Sequence, residues 1–243
     1  MTMQSATRTY LHLRDRIAER IAKGQYKENQ RLPSERILAE ELQTTRITLR
    51  DALSQLEVDG ILFRMDRRGW FVAGKRLRFD PTEDKGFMSN VRDQGREPKT
   101  ELLHCEERAA SETLAKALRI KKGEAIYHLQ RKRSIDSRCV LIEDIYLEAS
   151  RYPGLRHANL NASLSLVLAN IYGAKVKYSD IEITPVAFNE LHAKSLQVSP
   201  GTPATLISRT SYDKRGRVVE FDREYWLSDV LTIVVSSARK GDR

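Results

Sequence analysis

Arg46 and Arg50 stand four residues apart, so on a helix their guanidinium groups leave the same face. A guanidinium can pair bidentately with O6 and N7 of guanine, and the hydroxyls of Thr45 and Thr48 can bond a phosphate or touch a thymine methyl. Arg36 and the group Arg64, Arg67 and Arg68 add cations suited to a phosphate backbone. A second set lies far downstream. Arg131 and Arg133 are two apart, which on a strand sends both side chains to one face, and two converging guanidiniums suit a phosphate, a phosphonate or a carboxylate. Glu143 can orient one of them or take an amine or hydroxyl from a ligand, and Glu220 offers another carboxylate. Ser163 opens a helical pattern, where a hydroxyl and free backbone N–H groups together make an anion site. The competing arrangement for Arg131, Arg133 and Glu143 is a ladder of ion pairs across a strand surface.

The elements that must hold the first set can be traced by period. Tyr10, Leu13, Ile17 and Ile21 recur at helical spacing, with Gly24 placed to end the helix. Ser34 is a good N-cap for a second helix over Glu35 to Leu42, and Thr45 for a third whose apolar stripe is Ile47, Ala52, Leu53 and Leu56, ending before Gly60. The period then changes. Ile61 to Arg64 and Trp70 to Ala73 flank the polar turn Met65 to Gly69, a hairpin that makes a wing beside the helices. Trp70 is expected to pack on the first helix. Two short helices joined by a tight turn match the layout in which the second enters the major groove with its N-terminus first.

Residues Gly74 to Asp84 are charged and poor in large aliphatics, as befits a linker. Beyond it, helical patterns over Ser111 to Leu118, Ser163 to Tyr172 and Asn189 to Leu196 alternate with β-branched and aromatic runs. Strands are predicted over Ala125 to Ser134, Cys139 to Leu147, Lys175 to Ala187, Ala204 to Tyr212, Arg217 to Trp226 and Leu231 to Ser236, with a turn at Asp213 to Gly216. Several strands follow one another with no helix between them. That order favours an α+β domain with a mainly antiparallel sheet over a doubly wound one.

Composition bounds the function classes. The chain has 243 residues, 40% hydrophobic and 31% charged, enough for one large or two modest domains, and a formal net charge of +9. Residues 1 to 76 carry +5 of it and residues 77 to 243 carry +4, so the excess is denser in the first third. The longest stretch free of Lys, Arg, Asp and Glu, His157 to Ala174, is interrupted by Asn and Ser, which excludes a membrane span, and Arg8, Arg14 and Arg16 break any secretory-type apolar run near the start. The cytoplasm is the expected compartment. Cys105 and Cys139 are expected to be reduced packing residues, and the five histidines show no paired spacing that suggests a metal.

The run Leu32-Pro33-Ser34-Glu35-Arg36 with Leu38-Ala39, then Thr45 to Leu53 with Leu56, Asp59 and Gly60, resembles the N-terminal domain of GntR-family bacterial transcription regulators over about 70 residues in register. The resemblance implies a winged helix-turn-helix in which Arg36, Thr45, Arg46, Thr48 and Arg50 read DNA, with the wing tip in the minor groove. The family's wing carries Gly-x-Gly followed by Thr. Here it is Arg67-Arg68-Gly69-Trp70, which adds charge and makes Arg67, Arg68 and Gly69 the groove-entering candidates.

Residues 87 to 236 resemble the HutC-type effector domain, also called UTRA, whose fold is similar to chorismate lyase. The matching positions include Gly95, Pro98, Arg131-Lys132-Arg133, Asp136, Glu143, Tyr146-Leu147, Tyr152-Pro153, Ser163-Leu164, Gly216, Glu220 and Asp229. The resemblance implies an effector site at Ser89, Arg131, Arg133, Glu143, Ser163, Ser165, Glu220 and Trp226. Ser165 and Trp226 stand where family members often have Tyr, and Gly216-Arg217-Val218-Val219 replaces the usual Gly-x-Pro before Glu220. The polar end of the pocket is kept while its specificity wall has changed. Aminophosphonates, amino-sugar phosphates and histidine-pathway acids all stay open.

The expected molecule is therefore a winged helix-turn-helix domain over residues 1–74, a linker over 75–86 and an effector-binding domain over 87–243. It is a regulator, expected to repress, that binds a roughly palindromic double-stranded operator as a homodimer and responds to a small anionic metabolite, with no cofactor. The alternatives are an activator of the same architecture and an acid-processing enzyme with a DNA-targeting head, although no nucleophile and base stand at useful spacing. Change in the spacing of the DNA-reading heads is assigned to the linker.

Overall fold

The computed structural model describes residues 3–83 and 85–236. Asp84, the last residue of the expected linker stretch, lies outside them, as do the outermost ends of the two expected domains. The chain divides into two compact units, the first ending at Arg76 but also taking Gln197–Ser199, the second holding the rest from Leu77.

The first unit holds α1 (Met3–Ala22), α2 (Glu35–Glu41), α3 (Arg46–Val58) and the hairpin of β1 (Leu62–Met65) with β2 (Gly69–Val72). Both short helices begin where a side chain can take an otherwise unpaired N–H. Ser34 accepts from the Ile37 N–H and Thr45 from the Thr48 N–H at 3.2 Å. Leu13 and Ile17 of α1, Leu38 of α2, Leu49, Ala52, Leu53 and Leu56 of α3, and Leu62, Trp70 and Val72 of the hairpin form one core. Ile47 corrects the stripe expected for α3. It is 76% exposed, while Leu49, two residues on, is fully buried. A period of 3.6 carried back from Leu56 and Leu53 lands on Leu49 and leaves Ile47 on the outer face.

The wing turn departs from a glycine pattern in a way the backbone resolves. Arg67 has φ +56° and Gly69 φ +92°. Arg67 thus stands in the left-handed region that glycine enters freely and an arginine enters at a cost.

The second unit is a six-stranded sheet in the order β4-β5-β6-β9-β8-β7, antiparallel at every pairing. These strands are β4 (Pro98–Ala109), β5 (Ala125–Ile135), β6 (Arg138–Glu148), β7 (Tyr178–Ala187), β8 (Pro203–Tyr212) and β9 (Val218–Leu227). The helices are α4 (Phe87–Asp93), α5 (Glu112–Leu118), α6 (Leu164–Tyr172) and α7 (Glu190–Leu196). One face packs Leu129, Ile145, Leu147 and Val219 against Tyr152, Leu155, Leu164 and Leu168. The opposite face packs Ile126, Tyr146 and Val218 against Ala115 and Leu118 of α5.

Three elements were not drawn from the sequence. β4 is an edge strand with no fully buried residue, and its half-buried and exposed positions do not alternate as in a half-buried strand. α4 is only seven residues long. β3 (Leu77–Phe79) lies within the stretch expected as linker and runs parallel to β10 (Leu231–Ile233). The predicted strand over 231 to 236 is correspondingly shorter.

Candidate functional site

In the first unit the N-terminus of α3, the start of α2 and the wing enclose a shallow basic cleft. It is lined by Arg31, Pro33, Ser34, Glu35, Arg36, Arg46, Arg67, Gly69 and Trp70. The local reason is a network anchored on Glu35. Its Oε2 accepts from Arg50 at 2.7 Å and its Oε1 from Trp70 Nε1 at 3.1 Å, so one carboxylate ties α2 to α3 and to the wing. The bond from Arg50 holds that carboxyl below its ordinary value.

The expected DNA-reading residues divide by their partners. Arg46 is exposed and has no ion pair among the described residues, whereas Arg50 is engaged by Glu35 and Arg36 by Glu40 at 2.9 Å. Thr45 and Thr48 share a hydroxyl contact of 2.9 Å as part of the cap. Arg67 is exposed at the wing tip with Asp66 Oδ2 3.7 Å from its Nε, and Arg68 lies over the Phe71 ring at 5.5 Å. The cleft therefore gathers Arg36, Arg46, Arg67 and Gly69, while Arg50, Thr45, Thr48 and Arg68 are not among its lining residues. Two residues were missed. Arg31 bridges to Phe71 of the wing, and Ile47 offers an exposed apolar side chain on the first turn of α3, chemically suited to a thymine methyl. An apolar residue in the wrong phase for the core was the signal.

In the second unit all eight expected effector residues, Ser89, Arg131, Arg133, Glu143, Ser163, Ser165, Glu220 and Trp226, line one cavity of about 490 Å³. Its sheet side is built by register. Arg131 faces Glu143, Glu143 faces Glu224, and Asp222 faces Arg209, placing these side chains on one face of β5, β6, β9 and β8. Arg131 and Arg133 both bond Glu143 at 2.7 Å, and the pairs are buried, which sets them apart from a surface ladder. Burial pushes the Glu143 carboxyl up, but the two guanidinium charges more than offset it and hold the group below its ordinary value. The two arginines differ in what they have left. Arg131 also donates to the carbonyls of Leu160 and Ala162, so it pins the approach to α6, whereas Arg133 Nε has no hydrogen-bond partner among the described residues.

The other side of the cavity carries Lys85, Ser89, Lys175 and the N-terminus of α6. Ser163 caps that helix without a side-chain capping bond, and no acid occupies its first turn, so hydroxyl and N–H groups are open to an anion. Phe79 and Phe87 flank Trp226 at ring distances of 5.8 and 6.0 Å and make the aromatic wall.

Arg209, Asp222 and Glu224 were missed in this cavity. For Asp222 and Glu224 the signal was present, because Glu220, Asp222, Glu224 and Trp226 alternate along a predicted strand and must share a face. On the opposite face, Asp144 accepts from His128 Nε2 at 2.9 Å and lies 3.4 Å from His192 Nε2; His104 Nε2 stands 3.4 Å from His128 Nδ1. Sequence spacing concealed these histidines, which only strand pairing and α7 bring together. Cys105 and Cys139 are both free.

Comparison with known proteins agrees with this division. Residues 9–72 match the model of the bacterial regulatory proteins of the gntR family, and residues 93–232 match that of the UTRA domain. The chain is 31% identical over 209 residues to the uncharacterized HTH-type transcriptional regulator YihL of Escherichia coli K12, covering 85% of this chain and 88% of that one. It is 26% identical to the mannosyl-D-glycerate transport/metabolism system repressor MngR of the same organism, over 96% of this chain and 98% of the relative. The crystal structure of PhnF from Mycobacterium smegmatis superimposes with a TM-score of 0.67 at 27% identity, covering 96% of this chain and all of that one. No helix among the described residues is long and apolar enough to cross a membrane. The relatives are regulators and not enzymes, and the chain belongs to the GntR family of bacterial transcription regulators, with a UTRA domain as its second domain.

Proposed function

We propose that this regulator is a repressor that binds a roughly two-fold-symmetric operator as a homodimer and changes its affinity when a small anionic metabolite fills the cavity of the second unit. The observation that carries the proposal is the pair of guanidinium donors, Arg133 Nε and Arg209 Nε, with no hydrogen-bond partner among the described residues, in a cavity that also presents the open N-terminus of α6. A phosphate, phosphonate or carboxylate supplies the acceptors those donors lack. Repression is supported by the likeness to a relative named as a repressor. On the first unit, Arg46 and Ile47 are the base-edge contacts, Arg31, Arg36 and Arg67 contact the backbone, and Arg50, Thr45 and Thr48 hold α3 in place while offering polar groups at the same surface. Arg68 and Gly69 shape the wing tip.

The route between the two activities is short in the chain. Phe79 belongs both to the cavity wall and to β3, whose first residue, Leu77, directly follows the end of the first unit. A ligand that shifts Phe79 against Trp226 acts on the strand that leads to the DNA-binding unit. The coupling is reciprocal, so a metabolite that weakens operator binding itself binds less tightly to the operator complex.

The test is a fluorescence-anisotropy titration of the full chain on DNA from upstream of its own gene, with a panel of phosphorylated, phosphonylated and carboxylated metabolites. The expected result is that at least one acid shifts operator affinity and raises the melting temperature, and that Arg133→Ala loses both responses. A ligand at 100 times its Kd stabilises by about 2.7 kcal/mol. An Arg133→Ala protein with unchanged responses would remove this cavity from the account.

A further inference from the structure

The cavity that carries Lys85 and Lys175 on one side gathers four carboxylates on its sheet side. Glu143, Glu220, Asp222 and Glu224 meet three guanidiniums, those of Arg131, Arg133 and Arg209. Glu143 uses both oxygens on Arg131 and Arg133. Glu224 accepts from Trp226 Nε1 at 2.8 Å. Asp222 is 6% exposed, and its Oδ1 has no hydrogen-bond partner among the described residues. A buried carboxylate oxygen left bare in a cavity is costly unless a donor arrives to meet it.

We propose that the effector is a zwitterion whose ammonium is taken by Asp222 and Glu224 on β9, while its acidic group is held by Arg133, Arg209 and the N-terminus of α6. The inference rests on the effector reading above and deepens it. The groups left unsatisfied are of both kinds, two guanidinium donors and one carboxylate acceptor, so neither a pure anion nor a pure amine completes the set. Burial pushes the carboxyls of Asp222 and Glu224 up, with Glu224 and Glu143 respectively as the next cause, and an ammonium placed between them opposes both causes. Glu143, Asp222 and Glu224 also bring donor atoms within 4.8 Å of one another, the geometry of a cation site. A metal ion there would stand beside the two guanidiniums bound to Glu143, and one of the two Glu224 oxygens already serves Trp226. An ammonium, which brings its own hydrogen-bond donors, fits the same oxygens with a single charge.

The experiment is calorimetric titration of the full chain with ω-aminoalkyl phosphonates and carboxylates of two to four carbons, their des-amino counterparts of equal length, and the matching alkylamines. The expected result is that the best amino acid probe binds at least tenfold more tightly than its des-amino counterpart, as one charge-assisted hydrogen bond implies, and that Asp222→Asn brings the ratio near one. A cooperative melt certifies the fold of that variant; if it fails to fold, Glu224→Gln carries the same comparison. Equal binding of amino and des-amino probes by the wild type, or an unchanged ratio in the folded variant, overturns the zwitterion and leaves the anionic effector standing. Tighter binding of Mg2+ or Mn2+ than of any amino probe, lost on Asp222→Asn, likewise overturns it. Binding of no probe of any panel contradicts the effector reading and the zwitterion together.

Discussion

At the residue scale the molecule relies on two carboxylates that each hold more than one partner. Glu35 joins α2, α3 and the wing through Arg50 and Trp70, and Glu143 joins two buried arginines. Breaking a buried pair by removing one charge costs about 3–5 kcal/mol, so Glu143→Gln is expected to lower unfolding free energy by about that amount in urea melts. A loss below about 1 kcal/mol would show that the clamp is dispensable. Glu220 sets a pH dependence. Burial first, and then the Glu143 charge, raise its carboxyl from 4.5 to about 7. Between those values the folded chain keeps a proton that the unfolded chain has released. Its contribution is therefore complete below about 4.5 and is lost as the pH rises to about 7. Asp222 and Glu224 act in the same direction, while Asp144, held low by His128, His192 and Gln130 in spite of burial, acts only in more acidic solution. Melts across this window should show ligand-free protein losing stability with rising pH and Glu220→Gln losing less; identical slopes would contradict the assignment.

At the element scale α3 separates packing from recognition within one turn. Leu49→Ala should cost about 2–5 kcal/mol by emptying a fully buried site, whereas Ile47→Ala should leave stability almost unchanged and weaken operator binding. The reverse pattern would put Ile47 back in the core. The wing gives a second contrast. Arg67→Gly relieves a left-handed backbone and removes a cation, so stability should hold or rise by about 1 kcal/mol while operator affinity falls and its salt slope drops by about one. These elements were largely legible beforehand, because Ser34 and Thr45 mark helix starts and β5, β6, β8 and β9 carry strong β-type patterns. β4 was not, since an exposed edge strand has no buried face to impose alternation, and β3 was hidden in a charged stretch read as linker. In the cavity the arginines and Glu143 could be read from spacing, and Arg209 could not, because only the pairing of β8 with β9 sets it opposite Asp222.

At the scale of the whole molecule the +9 charge has two uses, a basic surface on the first unit and buried guanidiniums around a small cavity in the second. The cavity charges are neutralised locally by carboxylates, so their contribution to long-range attraction for DNA is small, and binding to the duplex falls to the exposed arginines. The most direct test is selection of binding sites by the full chain from random double-stranded DNA at fixed salt. Wild-type protein is predicted to enrich an inverted repeat with half-sites about one helical turn apart, and Arg46→Ala to lose at least tenfold in affinity for that repeat with the preference at one position of each half-site relaxed. Enrichment of no site by the wild type, or of the same repeat with the same affinity by Arg46→Ala, would contradict the account.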